Sequence, residues 1–504
     1  MECHFGQLEI DGLYPIKCSC MADKRRCKEP GCTGILNRDS GSLDNTTGNR
    51  DTKRGISPLY LRNTIFKKRF IMKPNNLICL SLVSLPLMMA SCSKDDDKMP
   101  PASTSTITIE NVLDSRPLVE SGTFKNNGAS PLIMPGESVT FQFSAAKGQA
   151  ITFATMYGWS NDLFFAPANP GIQVYQDNGT PVEGDVSSQI RLWDNGTRIN
   201  QVPGASVSHP GAAEATPKNI TEVQGADAQG NTYAAAASLM KATLHYEGNS
   251  TFTLKITNTS GGTSNPTPFS PGVWAVSYIA GGNLLNPAPL YEAGKPTANG
   301  LTNIAEMGDN SALATYLTGQ TGIFTPLSPV LVVVYNGIDN PIYKTGEKDR
   351  GKGLKELAQK GDASGLAAYL KTVQGVKEVY VLPAANTTVL LPKIGTQAGS
   401  SVSQQLSVAE GDRLAIATMY GLSNDWFFAS KDNGVDATQK GDISSSIGLF
   451  DNGTAVNQFP GAGVTQFNLA GTPLEESKTI EAVPNPNAFT TLPAIPNIIK
   501  VTLN

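Results

Sequence analysis

Past Cys92 the chain has no cysteine, two histidines and few charges. All seven cysteines lie at or before that position. The remainder therefore has neither a disulfide nor a cysteine nucleophile to draw on. His209 and His245 stand in unrelated settings. No His-Glu-x-x-His, Gly-x-Ser-x-Gly or phosphate-loop pattern occurs. These absences argue against an enzyme of the common hydrolytic or phosphoryl-transfer types. Charged residues make up only 16% of the chain. From Cys92 onward there are 25 Lys and Arg against 35 Asp and Glu, a net of −10. An acidic surface repels phosphate backbones, so nucleic acid is not an expected partner.

What the chain does have is turn chemistry. Its 504 residues include 49 Gly and 33 Pro, with many Thr, Ser and Asn between short apolar runs. This composition favours β structure with tight turns over helical bundles. The length allows two or more domains.

The one long apolar run is Leu77 to Ala90. Met72-Lys73 opens the segment and Met89-Ala90-Ser91-Cys92 closes it, the pattern of a bacterial lipoprotein signal peptide. The run is short for a membrane span. Cleavage before Cys92 and lipidation of that residue are expected, giving a protein anchored at the outer membrane or cell surface. Ser93-Lys94-Asp95-Asp96-Asp97-Lys98 resembles an acidic surface-export tag. Residues 72–91 are thus read as signal peptide and 92–104 as tether. Residues 1–71 are read as a mis-called or disordered extension. Its Cys18, Cys20, Cys27 and Cys32 fit no zinc template in their spacing.

The mature region repeats itself. Ala154-Thr155-Met156-Tyr157-Gly158-Trp159-Ser160-Asn161-Asp162-Leu163-Phe164-Phe165-Ala166 returns as Ala417-Thr418-Met419-Tyr420-Gly421-Leu422-Ser423-Asn424-Asp425-Trp426-Phe427-Phe428-Ala429. The match extends through Gly184-Asp185 and Gly441-Asp442. It continues over Trp193-Asp194-Asn195-Gly196-Thr197 and Phe450-Asp451-Asn452-Gly453-Thr454, to Asn200–Ala205 and Asn457–Ala462. Such self-similarity points to two copies of one fold. An alternating strand pattern at Ser105–Asn111 is echoed at Ser250–Ile256, and the two are taken as the first strands of successive units. The units are accordingly drawn as 105–249 and 250–504.

A shorter repeat, Gly300–Asp309 and Gly353–Asp362, reads as paired short helices with Asp309 and Asp362 as N-caps. Both copies fall in the second unit as drawn. A boundary near residue 322 is the competing division, with one helical element per unit. The expected fold class is mainly β, two antiparallel β-sandwiches with short helical insertions.

The repeated acids are the candidate site. Asp162 and Asp194, recurring as Asp425 and Asp451, sit on loops that a sandwich places at one end. Calcium takes six to eight hard oxygens, and carboxylates with amide and carbonyl oxygens supply them. Asn161, Asn424, Asp185 and Asp442 are the additional candidate oxygen donors. Asp-Asn-Gly-Thr is also an ordinary turn sequence, and that reading stays open for Asp194 and Asp451. Asp177 and Asp432, in the other Asp-Asn-Gly turns, are read as structural. The neighbouring aromatics suggest sugar stacking, but adjacent residues of a strand face opposite ways and most are assigned to the core.

Together these motifs resemble the amino-terminal spondin domain family. The resemblance rests on Thr155-Met156 with Ser160-Asn161-Asp162-Leu163-Phe164, on Trp193-Asp194-Asn195-Gly196-Thr197, on their second copies, and on the Gly300–Gly308 helix. It implies a C2-like sandwich, calcium binding near those loops and an adhesive role. The first unit departs from the family by lacking a helical element ahead of its Thr-Met strand. Asn also stands where animal members have Pro and Ala.

The expected function is a non-enzymatic surface lipoprotein carrying tandem calcium-binding modules for a glycan or protein ligand. The alternatives are an accessory glycan-capture lipoprotein of a polysaccharide-uptake system and a structural envelope protein without metal.

Overall fold

The computed structural model describes residues 103–504 apart from 464, 465, 467, 468 and 470. The extension 1–71, the signal peptide, Cys92 and all but the last two residues of the tether lie outside the described residues. Met99–Asn504 forms one compact unit. None of the described helices is long and apolar enough to cross a membrane.

The chain opens with β1 (Ser103–Asn111). It continues through β2 (Leu118–Phe124), β3 (Ser138–Ser144), β4 (Ala150–Met156), β5 (Leu163–Pro167), β6 (Gly184–Asp185) and β7 (Ile190–Asp194). Then come β8 (Thr221–Glu222), β9 (Met240–Gly248), β10 (Thr251–Asn258), β11 (Gly272–Ser277) and the helices α1 (Leu301–Met307) and α2 (Ser311–Gln320). Strands β2-β11-β4-β5-β7-β8 form one antiparallel sheet, and β3-β10-β9-β6 lie side by side as the other. These two sheets enclose the first core, around Phe153, Phe165, Phe252 and Leu254.

The second sandwich repeats this plan. It uses β12 (Val330–Asn336), the helices α3 (Leu354–Lys360) and α4 (Ser364–Leu370), β13 (Val376–Leu382), β14 (Ser401–Val408) and β15 (Asp412–Met419). It is completed by β16 (Trp426–Ser430), β17 (Gly441–Asp442), β18 (Ile447–Asp451), β19 (Glu481–Ala482) and β20 (Ile499–Leu503). The larger sheet runs β13-β12-β15-β16-β18-β19. The smaller runs β14-β1-β20-β17, so the first described strand lies inside a sheet of the second sandwich.

That placement corrects the expected division. A cut at 249/250 would separate β9 from β10, which pair from Met240↔Asn258 to Gly248↔Thr251. It would also part α1 and α2 from the strands they cover. The sheets part near residue 322 instead, except that β1 crosses over to pair with β14 and β20. The echo between the two alternating strands reflects real equivalence, in exchanged places. Asn258 at the end of β10 donates to the carbonyls of Ile133 (2.8 Å) and Thr267 (2.7 Å). Asn111 at the end of β1 donates to those of Thr325 and Leu390, both at 2.9 Å. Each Asn satisfies carbonyls inside the same corner of its sandwich, where an unpaired carbonyl is costly. The first sandwich is thus a circular permutation of the second, which accounts for its lack of a leading helical element.

Period-two patterning explains the layers. In β1, Ile107, Ile109 and Asn111 are buried while the intervening residues are at least partly exposed, as one face meets the core. The signature strands β4 and β15 have no such alternation. One face looks into the sandwich and the other is capped by helices, so Ala-Thr-Met is buried throughout. Helices α1 and α2 place Leu301, Ile304, Leu313 and Leu317 on Ala154, Met156 and Phe164. Helices α3 and α4 place Leu354, Leu357, Leu366 and Leu370 on Ala415, Ala417 and Phe427. The chain passes from the first helix to the second through Gly308 and Gly361, each at φ +70. A Cβ at either would stand 2.8 Å from a serine Cβ, of Ser270 or Ser328, so only glycine fits. Asp309 and Asp362, expected as N-caps, stand one residue ahead of the N-cap positions Asn310 and Ala363. They accept the N–H of Ser311 and Ser364 at 2.9 Å in a tight turn that leads into the second helix of each pair.

The two sandwiches meet through the loop after the second hairpin. Gln149 donates to the Gly461 carbonyl at 2.9 Å. Leu422, Phe459 and Ala462 join the first core. Gly461 lies against the Tyr278 ring, leaving no room for a side chain.

Candidate metal sites

The Ser-Asn-Asp loop after each signature strand is a tight, self-bonded turn. Ser160 Oγ donates to the Tyr157 carbonyl (2.7 Å) and accepts the Leu163 N–H (3.0 Å). Ser423 does the same with Tyr420 and Trp426. This geometry turns Asp162 and Asp425 inward, and both are fully buried. The hairpin that follows β7 or β18 wraps over them.

One carboxylate oxygen of each is saturated. Asp162 Oδ2 accepts the N–H groups of Thr197 and Arg198 at 2.8 Å and the Thr197 hydroxyl at 3.0 Å. Asp425 Oδ2 accepts Thr454 N–H (2.7 Å), Thr454 Oγ1 (2.9 Å) and Ala455 N–H (2.9 Å). The other oxygen, Oδ1, is buried in each copy without a hydrogen-bond partner. Asn195 Oδ1, Asn200 Oδ1 and Asn452 Oδ1 are buried without partners too. Their amide nitrogens are committed elsewhere. Asn195 Nδ2 donates to Thr197 Oγ1 (2.9 Å), Asn200 Nδ2 to Asp194 Oδ2 (2.8 Å) and Asn452 Nδ2 to Asp349 Oδ2 (3.1 Å). The orphaned atoms of these residues are therefore oxygens, and buried unsatisfied oxygens call for an explanation.

Electrostatics points the same way. Burial, with the Asp194 charge second, pushes the Asp162 carboxyl up to about 6 despite the donors on Oδ2. Burial and then Asp451 push Asp425 up to about 7. Asp194 is also raised, chiefly by burial. Desolvated carboxylates crowded together favour a proton or a cation.

The first site has a further support. Glu306 on α1 is buried, accepts the Thr197 hydroxyl at 2.7 Å and pairs with Arg198 at 2.6 Å. Arg198 Nε itself lacks a partner. In the second site the corresponding helix offers Gln359, which donates to Thr454 Oγ1 at 3.1 Å.

Not every expected ligand is drawn in. Asn161 Oδ1 accepts the Gln201 N–H at 3.0 Å, and Asn424 Oδ1 accepts that of Gln458 at 3.0 Å. Both amides tie the loop to the hairpin. Asp185 and Asp442 are exposed on the edge strands β6 and β17 of the smaller sheets. They bond Ser187 and Ser444, which holds both carboxyls below their usual range. Asp432 accepts Thr345 N–H (3.1 Å) and Oγ1 (2.8 Å), a structural bond. The strand aromatics divide between faces: Phe164 lies beneath the helices and Phe165 in the sandwich core.

The residues that sequence reasoning passed over are Asn195, Asn200, Asn452 and Asn457. Their signal was present as Asp-Asn-Gly-Thr-x-x-Asn in both copies, but an Asn-Gly pair reads first as a turn. Among the described residues no group of three or more His, Cys, Asp or Glu side chains converges. A cation here would therefore rest on two carboxylates, amide oxygens and carbonyls, a donor set for hard ions and not for zinc. Comparison with family models and with curated proteins returns no match.

Proposed function

We propose that the protein is a non-enzymatic, lipid-anchored surface protein of the outer membrane, whose two spondin-like sandwiches each bind calcium. On this reading Asp162, Asp194, Asn195 and Asn200 hold one ion, and Asp425, Asp451, Asn452 and Asn457 the other. The observation that carries it is the pair of buried, partnerless oxygens Asp162 Oδ1 and Asp425 Oδ1. Each lies under a hairpin that carries orphaned amide oxygens, those of Asn195 and Asn200 in the first copy and of Asn452 in the second. A bound cation pins that hairpin to the Ser-Asn-Asp loop, fixing the end of the sandwich that meets a glycan or protein ligand. The paired acids stand in equivalent places of two copies, which suits two binding sites better than one catalytic pair. His245 supports the same view, being exposed on β9 beside Glu183 at 3.4 Å.

Calorimetric titration of the full chain tests the reading. Two calcium ions per chain are expected, and none in the Asp162→Ala, Asp425→Ala double variant. A chain whose melting is indifferent to both calcium and EDTA would refute it.

A further inference from the structure

The two copies differ at one wall of the site, and in the second a cavity opens there. After β8 the first sandwich closes on itself. Tyr233 Oη donates to Asp227 Oδ2 at 2.7 Å, and Asn231 Nδ2 donates to the same oxygen at 2.7 Å and to the Asn200 carbonyl at 3.2 Å. After β19 the corresponding connection leaves a cavity of about 530 Å³. Asp451 and Asn457 of the candidate calcium site form one side, and Trp426, Asn487 and Phe489 another. Trp426 occupies the position of Leu163 in the first copy.

The lining is rich in donors. Trp426 is 3% exposed, and its Nε1 has no partner; Asn487 Nδ2 is buried without one as well. Lys348, which donates to Ser477 Oγ at 3.0 Å, lines the same space with no carboxylate paired to it among the described residues, while Lys478 is paired with Glu476 at 2.6 Å. An unmatched buried donor costs about 1–3 kcal/mol, so two in one cavity mark a place for a ligand that brings acceptors. The volume lies within the range of sites for small organic groups.

We infer that this cavity binds a carboxylated sugar residue of an acidic polysaccharide. The inference rests on the calcium reading above and names the ligand of that site. The sugar carboxylate answers Lys348 and the Trp426 and Asn487 donors. Its hydroxyls donate to Asp451 and Glu481, or ligate the cation directly. Its ring packs on Phe489, as sugar C–H faces do on aromatics. An acidic peptide side chain brings the charge but leaves most of these polar positions unmatched.

The test is calorimetric titration of the calcium-loaded full chain with digalacturonate, its methyl ester and a short polyglutamate. Digalacturonate binds, and Trp426→Phe and Asn487→Ala each weaken it about tenfold, the loss of one good hydrogen bond. Calcium stoichiometry in both variants stays at two. Equal binding by wild type and both variants, or by the methyl ester or polyglutamate, would overturn the assignment, as would no binding of digalacturonate. Direct calcium titration separates the two claims. Digalacturonate binding that depends on Trp426 in a chain that takes up no calcium sinks the metal reading and leaves the sugar site standing.

Discussion

Replacing Asp162 by Asn should strengthen the protein in one condition and weaken it in another. In metal-free protein burial pushes the carboxyl up to about 6 from its ordinary 3.8. Between those pH values the folded state holds a proton that the unfolded chain has released. Stability therefore falls as pH rises from about 4 to about 6 and stays at its lower level above. The difference corresponds to about 3 kcal/mol at neutral pH. Asn is neutral at every pH. Its oxygen can take the three donors now on Oδ2, while its amide hydrogens answer acceptors on the other side. Urea unfolding in EDTA at about pH 7.5 should thus find Asp162→Asn more stable by up to about 3 kcal/mol, with the gap closing near pH 4. Calcium reverses the order. At a free concentration of about a hundred times Kd, wild type gains about 2.7 kcal/mol per site, and the variant loses the gain at its first site. If the variant is less stable than wild type in EDTA at neutral pH, and calcium leaves both unchanged, the argument from the buried orphan oxygen is wrong.

Asn200→Ala and Asn457→Ala should each weaken one calcium site about tenfold in equilibrium dialysis while the chain remains folded. Arg198→Ala leaves the buried Glu306 without its cation and should cost about 3 kcal/mol in urea unfolding; adding Glu306→Gln should recover most of that, since Gln359 already serves the second copy. Ile109→Ala should destabilise the second sandwich by about 2–4 kcal/mol. Its report is the fluorescence of Trp426, the one tryptophan in that sandwich, with the other three in the first. For the anchor, Cys92→Ala should abolish incorporation of radiolabelled palmitate.

Much of this architecture was legible in the chain because repetition supplied its own control. Two copies of Ala-Thr-Met followed by Ser-Asn-Asp located the central strand and its loop, and the acid of each loop, Asp162 or Asp425, is buried. The helical spacing of Leu301 and Ile304, and of Leu354 and Leu357, gave the capping layers. Two things were hidden. The partner of β1 lies across the chain, and alternation in Ser103–Asn111 says which face is buried but not in which sandwich. The ligand set was blurred because Asn161 and Asn195 look alike in sequence. Only the bonding of each amide oxygen, Asn161 Oδ1 accepting from Gln201 and Asn195 Oδ1 buried without a partner, separates a loop tie from a candidate ligand.

The placement of β1 also orders events in time. It is the first described strand to be synthesised, yet Ile107 pairs with Leu503 and Ser103 with Val408. The first sandwich is continuous from Leu118 to Gln320 and has all its strands before β12 of the second is made. The second has to wait for Ile499–Leu503, with one edge of an alternating, half-apolar strand exposed until then. Unpaired strands of that kind recruit other chains, and long-range pairings close slowly. Loss of Ile499–Leu503 therefore uncovers one edge of β1, at the other end of the described chain.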